Sequence, residues 1–239
     1  MQNLVDLHIH SVASIHAFSS TTENIEYGYN AGLKVMGVSE HQPDTIGVGA
    51  HMYTIQNFRK VPKQYKGMRI LKGLELNILE DGSFYEEGFS IDKLDYAIAS
   101  IHHYIYPLDA SEEMNTNNYL KAIAHPKVKI LGHIDDIHFK CDYERIIKAC
   151  VENGVMIEAN NNSFAPGSPR PSGNRDYFKK ILECCKKYRC PVIMDSDAHI
   201  CYDVSNIQYC YEVLKEVDFP EELIVNFNLD LLKKYINIE

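Results

Sequence analysis

The stretch VDLHIHSVASIHAFSS, residues 5–20, decides how the rest of the chain is read. It starts as a strand in which Leu7 and Ile9 alternate with His8 and His10, and a third imidazole, His16, follows in the next loop. Alternate residues of a strand point to one face, so His8 and His10 aim the same way. Neighbouring imidazoles at a strand end without a common partner would stay desolvated and unpaired, at a cost of about a few kcal/mol each.

Outward from this strand, short β-branched or apolar runs alternate with helical periodicity, the pattern of a parallel sheet made of βα units. Strands are expected over residues 4–9, 35–39, 70–76, 96–101, 128–132, 155–160 and 191–196. Helices are expected over 22–31, 55–65, 117–124, 142–152, 174–187 and 204–217, with Asp142 and Asn174 as N-caps. The segment SFAPGSPRPSGN, residues 163–174, is the long Pro/Gly/Ser-rich loop, on a connection where barrels carry function.

With 239 residues, 45% of them apolar, and no flexible linker, one α/β domain over 1–239 is the economical organisation. The seven cysteines are odd in number and lack CxxC pairing, which suits reduced thiols in a cytosolic protein. No signal-like n-region and h-region or membrane-length apolar run is present, so a soluble, cytoplasmic protein is expected. A formal charge of −9 disfavours broad attraction to nucleic acid or anionic membrane. The Tyr-rich residues 202–211 are a candidate interface for a homo-oligomer, against the commoner reading of core or exposed tyrosine.

Placed on this scaffold, the polar residues form a series. His8 and His10 close the first strand, His41 follows the second, Glu75 ends the third, His102 the fourth, His133 the fifth, and Asp197 with His199 the seventh. In a parallel barrel these C-terminal ends converge on one mouth, where such folds build active sites. Seven of the eleven histidines fall in this series with His16, and one Glu and one Asp join them. Imidazole with carboxylate is a donor set that Zn²⁺, Mn²⁺ or Fe²⁺ accepts.

In order and spacing, DLHIHS, SEHQPD, GLELNI, ASIHH, GHID, IEANNNSF and DSDAH resemble the polymerase-and-histidinol-phosphatase (PHP) family, most closely its small stand-alone YcdX-like phosphatase branch. The resemblance runs nearly end to end. It implies a distorted (β/α)7 TIM-like barrel with a trinuclear centre, zinc first and manganese or iron as alternatives. Carried over by position, His8, His10, Glu75 and Asp197 would hold the first metal. Glu75 would bridge to a second held with His102 and His133, and His16, His41 and His199 would hold the third. The chain departs from the family in three places: Glu40 stands where many members have Asp, GHIDD replaces a His-Pro, and Ser168 replaces an Arg, with Arg170 two residues on.

The activity so implied is metal-dependent hydrolysis of phosphate monoesters, with His8, His10, Glu75 and Asp197 catalytic. Candidates for substrate binding are His51, Asn160, Asn161, Arg170 and Arg175, with His103 a weaker one. Asp6 is a candidate to orient a ligand imidazole, and His125 and His138 read as ordinary helix-end or loop residues. Alternatives are a histidinol-phosphate phosphatase, a nuclease or phosphodiesterase acting on nucleic-acid ends, and a non-catalytic module whose metals only stabilise the fold. The acidic balance and lack of a basic stripe weigh against the nuclease, and the complete ligand set weighs against the last.

Overall fold

A computed structural model describes residues 2–43 and 45–239; Met1 and Asp44, the last residue of SEHQPD, lie outside them. In chain order the elements are β1 (Val5–Asp6), α1 (Thr21–Asn30), β2 (Val35–His41), α2 (Met52–Gln56), β3 (Gln64–Tyr65), β4 (Met68–Asn77), β5 (Ala97–Ser100), α3 (Glu112–Ile123), β6 (Val128–Leu131), α4 (Tyr143–Asn153), β7 (Met156–Asn160), α5 (Asn161–Phe164), α6 (Asn174–Tyr188), β8 (Val192–Asp195), α7 (Gln208–Glu216) and α8 (Leu229–Leu232). Among the described residues, strands β1-β2-β4-β5-β6-β7-β8 run parallel in that spatial order, and β3 pairs antiparallel with β4. This is a distorted, nearly closed (β/α) barrel.

The seam between β1 and β8 is closed mostly by side chains. Ile9 and Ala198 form a single parallel bridge, and the Asp195 carboxylate accepts the Leu7 N–H at 2.7 Å. Lower down, the buried Asn226 amide donates to the Val5 and Met194 carbonyls and accepts the Met194 N–H at 2.7 Å. One amide thus satisfies backbone groups on both edges that a continuous ladder would otherwise have paired.

Below the mouth the barrel is filled by apolar side chains: Val35, Leu71, Ile98, Ile130, Met156 and Ile193. The C-terminal segment, with Leu231, Leu232 and Ile236, packs on the same cluster. Tyr96 is fully buried among them and donates its hydroxyl to the Leu7 carbonyl. A Cβ at Gly37 would lie 1.9 Å from the Tyr96 hydroxyl, and one at Gly73 would lie 2.4 Å from the ring. Those two glycines therefore make room for the ring that floors the site.

Several helices start where local chemistry demands. Ser20 and Glu23 form a reciprocal capping box on α1, and Asp142 caps α4 by accepting the Arg145 N–H, as expected. Asn174 is the first residue of α6 rather than its cap, because its amide is drawn inward to Asp135. The expected helix over 55–65 is shorter and earlier. Its chain forms α2 and one 3₁₀ turn, and then β3 turns into β4 through Lys66 and Gly67, both at positive φ, as a two-residue hairpin requires. The helices expected from 117 and 204 begin at Glu112 and Gln208, the first capped by Ser111.

Candidate metal centre

Glu75, near the end of β4, is the hub of the mouth. Its Oε1 lies 2.9 Å from His133 Nε2 and 3.1 Å from His102 Nε2. Its Oε2 lies 2.8 Å from His41 Nδ1, 3.4 Å from His8 Nε2 and 3.6 Å from His10 Nε2. Asp197 Oδ1 approaches His10 Nε2 at 3.2 Å and His8 Nε2 at 3.6 Å. His16 and His199 complete the outer side: their ring centroids are 4.4 Å apart, and that of His16 is 5.1 Å from His41. All nine residues expected to be ligands thus surround one mouth, with His16 the exposed member.

Their donor atoms form three overlapping triads compact enough for an ion: His10, His41 and His199; His8, His10 and Glu75; and His41, Glu75 and His102. The compact triad at His41 and His199 takes in His10, while His16, which the resemblance assigns there, has its ring beside the same two at 5.1 and 4.4 Å. Four buried atoms, His8 Nε2, His10 Nε2, His41 Nδ1 and Glu75 Oε2, make no hydrogen bond among the described residues although they face one another. Orphaned polar atoms converging in a buried space are costly without a shared partner, and nitrogen with carboxylate oxygen suits a divalent transition metal. The residues present therefore fit such ions.

The electrostatics agree. Burial alone would raise Glu75 and Asp197, but the imidazoles around them hold both carboxyls well below their ordinary range. Burial, with His41 and His199 beside it, pushes His10 well below its ordinary value, and burial with the same two neighbours brings His16 down to about 4. Ionised carboxylates and neutral imidazoles are the forms a metal takes. His8 differs: burial lowers it, but Glu158, Asp197 and Glu75 together raise it well above the ordinary value.

Behind the donors stands a layer of partners that fixes which ring nitrogen faces the mouth. His8 Nδ1 donates to Glu158 at 2.6 Å, His102 Nδ1 to Asn77 at 2.7 Å, and His199 Nδ1 to the Asp197 carbonyl at 2.9 Å. Ser14 Oγ lies 3.5 Å from His10 Nδ1, accepts the His41 N–H and donates to Glu40. The longer acid at Glu40 thus serves two serines, Ser11 and Ser14, beside His10 and His41. Asp6 accepts the Ser196 and Ser205 N–H groups; burial raises it to about 6.

The mouth opens into a cleft of about 330 Å³ whose outer wall includes Val48, His103, Tyr104, Asn162 and Arg170. A larger cleft of about 840 Å³, lined by Phe58, Phe89 and Lys72 among others, lies elsewhere and contains neither His nor carboxylate. GHIDD shapes the smaller one. Asp135 accepts from Ser163 and Asn174, and Asp136 pairs with Arg170 at 2.7 Å, so two adjacent acids pin the 163–174 loop over the mouth.

Of the expected substrate-binding residues, Arg170 and the weaker candidate His103 line this cleft. Asn160 is buried behind Asp197, with its amide 3.2 Å from that carboxylate. Asn161 accepts the Tyr209 and Cys210 N–H groups at the start of α7. His51 caps α2 at the surface, and Arg175 pairs with Glu216 on the helical exterior. His103 leans over Tyr104 at the rim. Asn162, the third of the NNN run, reaches the cleft, and the sequence reading overlooked it together with Glu158, Asn77 and Ser14. Glu158 did carry a signal: an acid in the middle of the apolar run VMIEA.

Comparison with known proteins decides the family, since the PHP domain matches residues 6–162. The chain belongs to the PHP family. Across 99% of its length this PHP protein is 35% identical to a probable phosphatase of Clostridium botulinum, of which it covers 95%. A probable phosphatase of Caldanaerobacter subterraneus is also 35% identical, over 98% of this chain and 91% of the relative. Among solved structures, histidinol phosphate phosphatase from Lactococcus lactis, complexed with zinc, L-histidinol and phosphate, shares the fold with a TM-score of 0.60. That likeness covers 92% of this PHP protein and 95% of the other at 16% identity.

Proposed function

We propose that this metal-dependent phosphatase of the PHP family hydrolyses small phosphate monoesters at a trinuclear centre in the barrel mouth, as one cytoplasmic domain over residues 1–239. The observation that carries the reading is the convergence of His8 Nε2, His10 Nε2, His41 Nδ1 and Glu75 Oε2, buried and without hydrogen bonds, on one space. His8, His10, Glu75 and Asp197 would hold one ion, Glu75 with His102 and His133 a second, and His16, His41 and His199 a third. Zinc is the first choice, manganese or iron the alternatives. When bound, such ions polarise phosphoryl oxygens and lower the pKa of a water toward neutrality.

The chain's own residues do the rest. Arg170 projects its guanidinium at the cleft while Asp136 holds it, so a phosphate arriving there gains a cation whose position is already fixed. Asn162 and His103, which line the rim, would meet the leaving group. Tyr96, Ile98 and Ile130 seal the barrel below, so water reaches the donors from the mouth side.

The likeness to an enzyme bound to L-histidinol makes histidinol phosphate the second substrate to try. Phosphate release should be measured from simple monoesters, histidinol phosphate, a bis-ester and single-stranded DNA at saturating metal. Turnover of monoesters well above the bis-ester and DNA supports the proposal. Preference for the diester or DNA replaces it with a nuclease, and turnover of none leaves a binding module.

A further inference from the structure

Glu158 is fully buried on β7, directly behind the metal donors, and its carboxylate takes three N–H groups. Oε1 accepts His8 Nδ1–H at 2.6 Å; Oε2 accepts the His133 backbone N–H at 2.7 Å and the Asn160 amide at 3.1 Å. The same Asn160 amide lies 3.2 Å from Asp197 Oδ2, and it cannot turn over, because Asn160 Oδ1 holds the Ser163 N–H at 3.0 Å. His133 and Asp197 both sit at positive φ, 29° and 53°, where a non-glycine residue needs its surroundings to hold it.

We propose that Glu158 is a positioning residue that sets one part of the centre, the donors His8, His133 and Asp197, and leaves the part formed by His16, His41 and His199 independent. The inference rests on the metal reading above. An imidazole that gives Nδ1–H to a carboxylate must present the Nε2 lone pair to the mouth, so Glu158 decides the His8 tautomer. The link to His133 steadies a strained backbone, and the link through Asn160 turns the Asp197 carboxylate. The other part has its own supports: Ser14 holds the His41 N–H, and the hydrogen bond of His199 Nδ1 goes to the Asp197 carbonyl at 2.9 Å, with the carboxylate further off at 3.6 Å.

A carboxylate accepts hydrogen bonds on both oxygens, and an amide on only one. Glu158→Gln keeps the length but turns an N–H₂ against one of its three donors; Glu158→Asp is a methylene shorter but keeps both acceptors. If Glu158 merely filled space, Gln would be the milder change and Asp the harsher. Positioning reverses that order.

The test is bound zinc per chain and zinc affinity in chelator-buffered solution, for the wild type, both Glu158 variants and His10→Ala, with no activity assay needed. Glu158→Gln is expected to bind the ions of its own part about 10- to 100-fold more weakly while the remaining part stays loaded, and Glu158→Asp is expected to recover part of the loss. Wild-type zinc binding by Glu158→Gln, uniform weakening of every ion, or a milder Gln than Asp would overturn the proposal. A wild type that takes up no zinc overturns the metal reading itself, so the two failures are distinguishable. Should Glu158→Gln not fold, Asn160→Ala removes the bridge from Glu158 to Asp197, together with the bond to the Ser163 N–H, and leaves the Glu158 bonds to His8 and His133 in place; there, weaker zinc binding upholds the proposal and unchanged binding overturns it.

Discussion

The two halves of the barrel interior are made from the same strands and behave in opposite ways. Reading up β4 along one face gives Leu71, Gly73, Glu75 and Asn77; up β2 it gives Val35, Gly37, Ser39 and His41; up β7 it gives Met156, Glu158 and Asn160. Each row starts in the apolar cluster and ends among the candidate metal donors or their partners. The lower half is satisfied by contact alone. The upper half buries ring nitrogens and a carboxylate oxygen that no hydrogen bond among the described residues satisfies. Stability and chemistry are therefore separated by only a few residues along each strand, with Tyr96 between them.

Substitutions on either side of Tyr96 should have opposite effects. The largest expected effect is at the mouth: His10→Ala should lower kcat for phosphate release at saturating metal by at least ~100-fold, about 2.7 kcal/mol. It should leave the melting temperature in chelator equal or higher, because it removes a buried imidazole crowded by His41 and His199. Steady-state kinetics and thermal melts check both. Ile130→Ala, below the floor and fully buried, should do the reverse, costing about 2–5 kcal/mol of stability in denaturant titrations with kcat of the folded fraction nearly unchanged. If the two substitutions affected activity and stability alike, the division between the halves would be wrong.

Two smaller effects sharpen the picture, one at the rim and one on the outer helices. Arg170→Ala should raise KM roughly 10-fold, about 1.4 kcal/mol, with a lesser change in kcat, since it removes a held cation from the cleft. Arg175→Ala should leave turnover unchanged, because that side chain pairs with Glu216 on the outer helices. Its effect is on pH dependence. Hydrogen bonds from Arg175 and Lys179 hold the Glu216 carboxyl down at about 2, below its ordinary 4.5. A depressed carboxyl stabilises above the unfolded value and loses that contribution as pH falls toward the folded one. The variant should therefore melt slightly below wild type at pH 6, and the gap should shrink between about pH 4.5 and 2, modestly because the pair is exposed. Thermal melts at several pH values measure it.

That these residues meet at one mouth was legible in the sequence because a parallel barrel gathers strand ends, and strand ends can be counted from apolar runs. His8, His10, His41, Glu75, His102, His133, Asp197 and His199 needed only that rule, and His16 needed the family's spacing. Residues whose place depends on side-chain direction in loops were not legible: Asn160, Asn161 and Asn162 look alike in sequence, yet one supports Asp197, one caps α7 and one meets the cleft. His51 and Arg175 read as anion binders by type alone, and the folding of 52–65 and the pairing of α6 with α7 carry them elsewhere. The seam at β1 and β8 was hidden for a similar reason, since nothing local marks Asn226 as a bridge between distant strands.

The central claim is that the orphaned donors of the mouth belong to metal ions, and elemental analysis of protein purified without chelators, followed by zinc titration of stripped protein, tests it most directly. The expected result is ~3 ions per chain with a melting temperature that climbs as zinc is added, because ligands that bind only the native state stabilise it. A value near zero, with no uptake and no gain in melting temperature, would contradict it.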